Sequence, residues 1–197
     1  KGKKAKSKLK DAEKIEKYIE LLLFWNKTHN LISRNQINNI NEHIEDSLSV
    51  LGHVGGVLVD LGSGGGLPGI PIAIKAPQKK VILVESNSKK YSFLLNTANK
   101  LDLSNLSVMH SRIEDISPAQ LPEGYELIVR AVGTAEHLIG LTKTHLDIAG
   151  TQLKLMKTEE QIAKEPLPKN YVIKKINKIP SKEKDKGRIL VTIEKNG

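Results

Sequence analysis

The chain has 197 residues, no cysteine, and 31 basic against 22 acidic residues, for a formal charge of +9. That length suits one domain that buries a core without staples. The lack of cysteine excludes disulfides, cysteine zinc sites and thiol nucleophiles, and no apolar run approaches the ~20 residues of a membrane span.

Residues 8–27 read as an amphipathic helix, with Leu9, Ile15, Ile19, Leu22 and Leu23 at helical spacing between lysines and glutamates. Trp25 to Asn30 breaks this pattern and reads as a loop. A second helix is expected over 36–53, with Ile37, Ile40, Ile44, Leu48 and Leu51 as its apolar stripe, ended by Gly55-Gly56. The rhythm then changes to alternating strands and helices. Residues 57–60 are a short apolar strand ending in Asp60. A glycine loop follows, and a helix starts near Gly69. Residues 81–85 form a second such strand ending in Glu85. Residues 89–101 read as a helix with Phe93, Leu94, Ala98 and Leu101 inward. Further strands are expected at 106–109, 126–129 and 150–156, with a helix over 134–148 before the last of these. Residues 171–179 and 188–194 read as an antiparallel pair joined by the polar stretch 180–187.

Continuous apolar strands are buried on both faces, which implies a largely parallel sheet covered by helices. The fold class expected is therefore α/β, a doubly wound, mostly parallel sheet. Residues 1–54 form an N-terminal helical cap and 55–197 the main domain, in one globular unit. The charge is uneven. Residues 1–17 carry eight lysines against three acids, and residues 154–197 carry twelve basic against six acidic residues. A near-neutral body with basic ends suits a polyanionic partner such as nucleic acid, or else a solvated lysine-rich tail. Lysine greatly outnumbers arginine, which suits general phosphate attraction better than bidentate base reading.

The segment Asp60-Leu61-Gly62-Ser63-Gly64-Gly65-Gly66-Leu67-Pro68-Gly69-Ile70-Pro71 sits between a strand and a helix, the context that gives a glycine motif meaning. Two cofactor readings compete. Gly64-x-Gly66-x-x-Gly69 matches the dinucleotide fingerprint, with Glu85 near the ribose-binding distance. Read one step earlier, Asp60-x-Gly62-x-Gly64-x-Gly66 is the pattern of class I methyltransferases, which bind S-adenosylmethionine. Asp60 favours the second reading. A carboxylate at the strand end repels a pyrophosphate but can serve the cationic amino group of S-adenosylmethionine. Pro68 and Pro71 also sit where a dinucleotide helix needs N–H donors. Glu85 is expected to accept from the ribose hydroxyls, because a carboxylate is acceptor-only and bidentate. Ile113 is placed to flank adenine and Glu114 to take its amino group, although Glu114 alone also reads as a helix-start acid.

Several stretches occur together in order. They are Trp25-Asn26 with Asn30-Leu31, His43-x-x-Asp46-Ser47-Leu48, Gly62-Ser63-Gly64 through Leu67-Pro68-Gly69-Ile70-Pro71, Glu85-Ser86 with Lys89-Lys90, Ser111-Arg112-Ile113-Glu114, and Arg130-Ala131-Val132. Over about residues 18–155 the chain resembles the bacterial glucose-inhibited division protein B family, the small-subunit (16S) ribosomal RNA guanine-N7 methyltransferases. The resemblance implies methylation of a guanine in the decoding region with S-adenosylmethionine as cofactor. It also implies cofactor contacts at Gly62, Leu67, Glu85, Ile113, Glu114 and Arg130. The fifth strand departs from the family, running Leu155-Met156-Lys157-Thr158 where Lys-Gly is usual, so Thr158 takes no role. Residues 159–197 carry no recognised motif.

Guanine N7 has a free lone pair, so catalysis requires positioning and desolvation but no general base. Arg130 and His43 are the positioning candidates, and no specific catalytic residue is singled out. Lys89, Lys90 and Arg130 are candidates for the RNA, with a structural salt bridge as the other reading of Arg130 and a solvated helix start as that of the lysines. His43 and Asp46 lie three apart on one helical face. They could order the loop over the cofactor, touch RNA or be structural. No metal is expected. The expected partner is 16S ribosomal RNA or the small subunit, with the protein monomeric and cytoplasmic. No secretory signal is visible, although the chain opens on Lys1 rather than Met, so a missing start is expected. The competing functions are a nicotinamide-dependent oxidoreductase on the same sheet and a non-enzymatic RNA-binding module.

Overall fold

Apolar runs without alternation form the centre of the sheet. The computed structural model describes residues 10–130, 133–180 and 187–196. Its strands are β1 (Val57–Leu61), β2 (Lys80–Glu85), β3 (Leu106–His110), β4 (Tyr125–Arg130), β5 (Leu153–Thr158), β6 (Tyr171–Lys178) and β7 (Arg188–Lys195). They make one sheet in the order β3-β2-β1-β4-β5-β7-β6. β1 to β5 pair in parallel, while β7 runs antiparallel to both β5 and β6. Strand order reverses between β1 and β4, the place where open α/β sheets hold their ligands. The expected α/β class and the closing antiparallel pair are both present.

Each face of the sheet carries its own core. Leu58, Leu83, Ile128 and Leu190 pack under the helices on one face. Val59, Val84, Leu127, Val129 and Leu155 pack on the other. The first face holds α1 (Asp11–His29), α2 (Arg34–Asn38), α3 (Ile40–Ser49), α4 (Gly69–Lys75) and α5 (Ser88–Lys100). The second holds α6 (Ala135–Leu141) and α7 (Lys143–Leu146). The N-terminal helices share the sheet's core, since Tyr18, Leu22 and Ile44 cluster with sheet residues.

Several boundaries differ from the sequence expectation. The first helix continues through Trp25 to His29 and turns only at Asn30, whose φ is 47°. Trp25 lies edge-on to Phe93, with centroids 5.8 Å apart, and the Asn26 side chain accepts the Ile32 N–H at 2.8 Å. These tertiary bonds extend the helix past the point where its apolar period stops. Of the expected stripe Leu22 is fully buried and Ile15 and Ile19 pack partly against the core, while Lys14, Tyr18 and Asn26 join the buried face. The polar members are buried with partners, as Lys14 Nζ donates to the Asp102 carbonyl and Tyr18 to that of Gly65. The second expected helix divides at Asn39, and Ser33 caps its first part through the Gln36 N–H. The helix expected over 134–148 breaks at Thr142, whose buried hydroxyl donates to the Leu138 carbonyl at 2.7 Å. The fifth strand starts at Leu153, because Gly150 is spent on a turn with φ of 84°. It runs on to Thr158, which caps the unforeseen α8 (Glu159–Ala163). Leu9, the lysine-rich start, residues 131–132 and most of the polar stretch 180–187 lie outside the described residues.

Candidate active site

The glycine loop leaves β1 at its carboxyl end. Gly62, Gly64 and Gly66 have φ of 63°, 54° and 89°, a region open to glycine at little cost. The Gly62 N–H donates to the Val84 carbonyl at 2.9 Å, carrying the loop across the end of β2. The Gly66 N–H donates to the Ser63 carbonyl at 2.6 Å and closes the turn. Tyr18 of α1 donates to the Gly65 carbonyl at 2.6 Å and holds the loop from outside. A Cβ on Gly69 would collide with Leu83, so α4 lies close against the sheet only because that residue has no side chain.

Asp60 lies beneath this loop and not on its surface. It is 1% exposed, and its Oδ2 accepts the Gly69 N–H at 2.9 Å. Burial pushes its carboxyl up to about 7, and Glu85 adds to the rise, while the Gly69 N–H and Arg130 oppose it. Glu85, at the end of β2, accepts from the Gly64 N–H at 2.9 Å through Oε2 and from the Asn87 N–H at 2.8 Å through Oε1. Each carboxylate oxygen keeps a second lone pair. Glu85, 6% exposed, therefore joins the loop to the start of α5.

A cleft of about 350 Å³ opens at the carboxyl ends of the strands. Its lining comes from Leu61 at the end of β1, Gly62 of the loop, Val84 near the end of β2, Ser86 just after it, and Arg112, Ile113 and Glu114 after β3. Val129 of β4 and His137, Leu138, Leu141 and Thr142 close the far side. Apolar walls with a few polar edges suit a flat heterocycle attached to polar groups. The structure thus brings Gly62, Ile113 and Glu114 to one cleft, with Gly64 and Glu85 bonded alongside. Leu67 is buried among the helices of the first face. Asp60, Gly64, Gly66, Leu67, Glu85 and Arg130 are not among the cleft's lining residues.

Arg130, at the end of β4, turns toward α3. Its Nη2 donates to His43 Nδ1 at 2.7 Å and lies 3.7 Å from Asp46 Oδ2. A guanidinium can only donate, so Nδ1 must accept and His43 carries its proton on Nε2. Asp46 Oδ2 also lies 3.7 Å from Arg188 Nε of β7. One carboxylate therefore sits between two guanidiniums. Burial lowers the pKa of Arg130 and Asp46 raises it. Lys89 and Lys90 begin α5, where the Asn87 side chain accepts both backbone N–H groups. Beyond β4, Lys157 donates to the Gly133 carbonyl at 2.9 Å and to Glu165 at 2.7 Å, and Glu165 accepts the Ala135 N–H. The end of β5 thereby anchors Gly133 and Ala135 at the start of α6.

The family model described as rRNA small subunit methyltransferase G matches residues 11–189. The chain belongs to this family. Named relatives agree. The ribosomal RNA small subunit methyltransferase G of Pseudomonas putida strain GB-1 is 42% identical over 149 residues, spanning 74% of this chain and 68% of that protein. Its counterpart in Hydrogenovibrio crunogenus is 36% identical over 186 residues, spanning 92% of this chain and 84% of that one. Among solved structures, a mutant of MtNAS in complex with S-adenosylmethionine aligns with a TM-score of 0.61 at 12% identity, over 93% of this chain and 75% of that one. The Bacillus subtilis tRNA methyltransferase TrmK aligns with a TM-score of 0.55 at 14% identity, over 77% and 65%. These neighbours place the sheet in the class I methyltransferase fold.

Within the methyltransferase G family, the oxidoreductase and bare RNA-binding readings find no support. The loop supplies a physical reason against a dinucleotide. The first N–H of α4, where a pyrophosphate would dock, is already taken by the Asp60 carboxyl. Thr158 caps α8 and has no place in the cleft. Sequence reasoning missed Tyr18, Arg188, His137 and Thr142. Tyr18 falls on the same helical face as Ile15 and Leu22, but the partner of its hydroxyl lies 47 residues away in the chain. Arg188 lies far from Arg130 in the chain and carries no motif. Among the described residues no helix is long and apolar enough to cross a membrane, and no cluster of His, Asp and Glu is arranged to hold a metal.

Proposed function

We propose that the chain transfers a methyl group from S-adenosylmethionine to N7 of a guanine in 16S ribosomal RNA of the small subunit. The observation that carries this reading is the cleft at the switch point, where Gly62, with its left-handed backbone, lines the same space as Ile113 and Glu114. Its volume of about 350 Å³ lies in the range of small-molecule sites. Val84, Ile113 and Leu138 offer apolar contact to a purine, and Glu114 an acceptor for its amino group. Glu85 offers its remaining lone pairs to ribose hydroxyls. Asp60, ionised, offers charge to an ammonium group above the loop.

When bound, S-adenosylmethionine supplies a methyl group already activated by its sulfonium. Guanine N7 needs no proton removed before it attacks. The chain's own work is then to align, exclude water and hold the RNA. His43 fits this division of labour. Its Nδ1 is engaged by Arg130, so it orients that guanidinium and leaves proton transfer out of its role. Arg130 and Arg188 around Asp46 leave a net positive charge beside β4, which attracts a phosphate or a stacked base. Lys89 and Lys90 extend the basic rim. A monomeric, cytoplasmic protein acting on ribosomal particles is part of the same reading.

The test is methyl transfer from labelled cofactor to small-subunit particles, with N7-methylguanine mapped by chemical cleavage of the RNA. One new cleavage site is expected. Cofactor binding without transfer to either intact or stripped particles would favour a non-enzymatic RNA-binding module.

A further inference from the structure

The second face of the sheet buries a polar pair that the transfer reaction does not explain. His145 of α7 is completely buried, and Tyr125 of β4 nearly so. His145 Nδ1 lies 2.7 Å from the Tyr125 hydroxyl, and His145 Nε2 lies 3.3 Å from the Ile113 carbonyl. A carbonyl can only accept, so Nε2 carries the proton and Nδ1 receives the Tyr125 O–H. Of the two neutral tautomers only this one satisfies both ends. Burial lowers the imidazole pKa and favours the same form.

The pair joins two walls of the cleft. The turn Ile113–Asp115 is a single turn of 3-10 helix, tied locally by the Ile116 N–H on the Ile113 carbonyl at 3.1 Å. Ile113 and Glu114 line one side of the cleft. Leu141 and Thr142, just before the helix that carries His145, line the other. The surroundings, including the side chains of Ile116, Leu121 and Leu146, are largely apolar; the Thr151 hydroxyl also reaches Tyr125 and the Ile116 backbone lies against His145. A polar pair buried there is costly unless its bonds are made, and a leucine would fill the space without them.

We propose that His145, oriented by Tyr125, is a positioning residue that fixes the Ile113–Asp115 turn, so that the cleft discriminates the adenine edge of its cofactor. This rests on the reading that the cleft takes S-adenosylmethionine.

The test measures calorimetric affinity of the full chain for S-adenosylhomocysteine and for its deaminated analogue S-inosylhomocysteine, alongside thermal midpoints. Tyr125→Phe keeps the ring and removes the hydroxyl. It is expected to weaken S-adenosylhomocysteine binding by about 3- to 10-fold, the worth of a hydrogen bond, and to shrink the preference over the inosyl analogue by a similar factor. kcat at saturating cofactor and KM for ribosomal RNA should stay within about twofold, since neither depends on the turn. His145→Gln, whose amide can still donate to the Ile113 carbonyl, should bind more tightly than His145→Leu. A lower thermal midpoint in Tyr125→Phe with unchanged affinity and unchanged adenine preference overturns the proposal. Gly62→Asp separates the two levels. Binding that survives Gly62→Asp overturns the cofactor reading and the proposal with it. Loss in Gly62→Asp with wild-type behaviour in Tyr125→Phe overturns the positioning role alone.

Discussion

The Asp60 carboxylate accepts the Gly69 N–H at 2.9 Å, closing the loop of residues 61–68 from below. The acid that begins the glycine motif therefore serves first as the cap of the helix that ends it. Its charge is held inside the protein, beneath the loop that borders the cleft.

A pH dependence follows from this burial. The folded-state value of about 7 lies above the ordinary carboxylate value of 3.8. Between these limits the folded chain holds a proton that the unfolded chain has lost, so stability falls as pH rises through that window and levels off above it. The charged form costs on the order of 4 kcal/mol at pH 8. Asp60→Asn keeps an acceptor for Gly69. Its stability relative to wild type should increase from pH 4 to about 7 in chemical denaturation, then stay constant. Cofactor affinity in the wild type should rise over the upper part of the same window, as the carboxylate forms, and this rise should be missing in Asp60→Asn.

Gly69→Ala tests the close contact of α4 with β1 and β2. The new methyl would meet Leu83 and, at 2.8 Å, Asp60 Oδ2. Overpacking of this kind costs about 1–3 kcal/mol, and denaturant midpoints should show it.

Gly62→Asp places a side chain at a φ of 63° and a second carboxylate in the cleft. Calorimetry should find S-adenosylhomocysteine binding abolished. Unchanged affinity would mean that the loop does not hold the cofactor.

Asp46 is expected to couple energetically to both of its arginines. Asp46→Asn leaves two guanidiniums facing a neutral side chain and should lower stability by about 3 kcal/mol, the cost of breaking a buried pair. Adding Arg188→Met should cost less than its single-variant effect predicts. A double-mutant cycle with no coupling would show the three groups to be independent.

Lys157 and Glu165 are both largely buried and lie 2.7 Å apart. Lys157→Met removes the donor to Gly133 and leaves the buried Glu165 charge without its cation. Thermal unfolding should show a loss of about 3 kcal/mol. Methyl transfer should fall further than cofactor affinity, because Gly133 and the start of α6 lose their anchor.

Apolar runs, glycine placement and the order of acids were enough, in the sequence alone, to specify a parallel sheet, a loop at the end of its first strand and a methyltransferase cofactor. Those features are local. A strand buried on both faces needs a continuous apolar run, and a left-handed turn needs glycine, so each is written where it occurs. Flanking motifs added the family. Only the tertiary structure decided which side chains reach the cleft. It turned Asp60 inward and Arg130 toward His43. It brought Arg188 beside Asp46 from the far end of the chain and made Tyr18 the outer support of the loop. It also extended the first helix through Trp25, where the period had ended. The physical reason is that buried side chains need partners: hydroxyls and carboxyls hydrogen-bond partners at about 3 Å, arginines an opposite charge and rings an apolar neighbour. The fold supplies these from separations along the chain that no local pattern records.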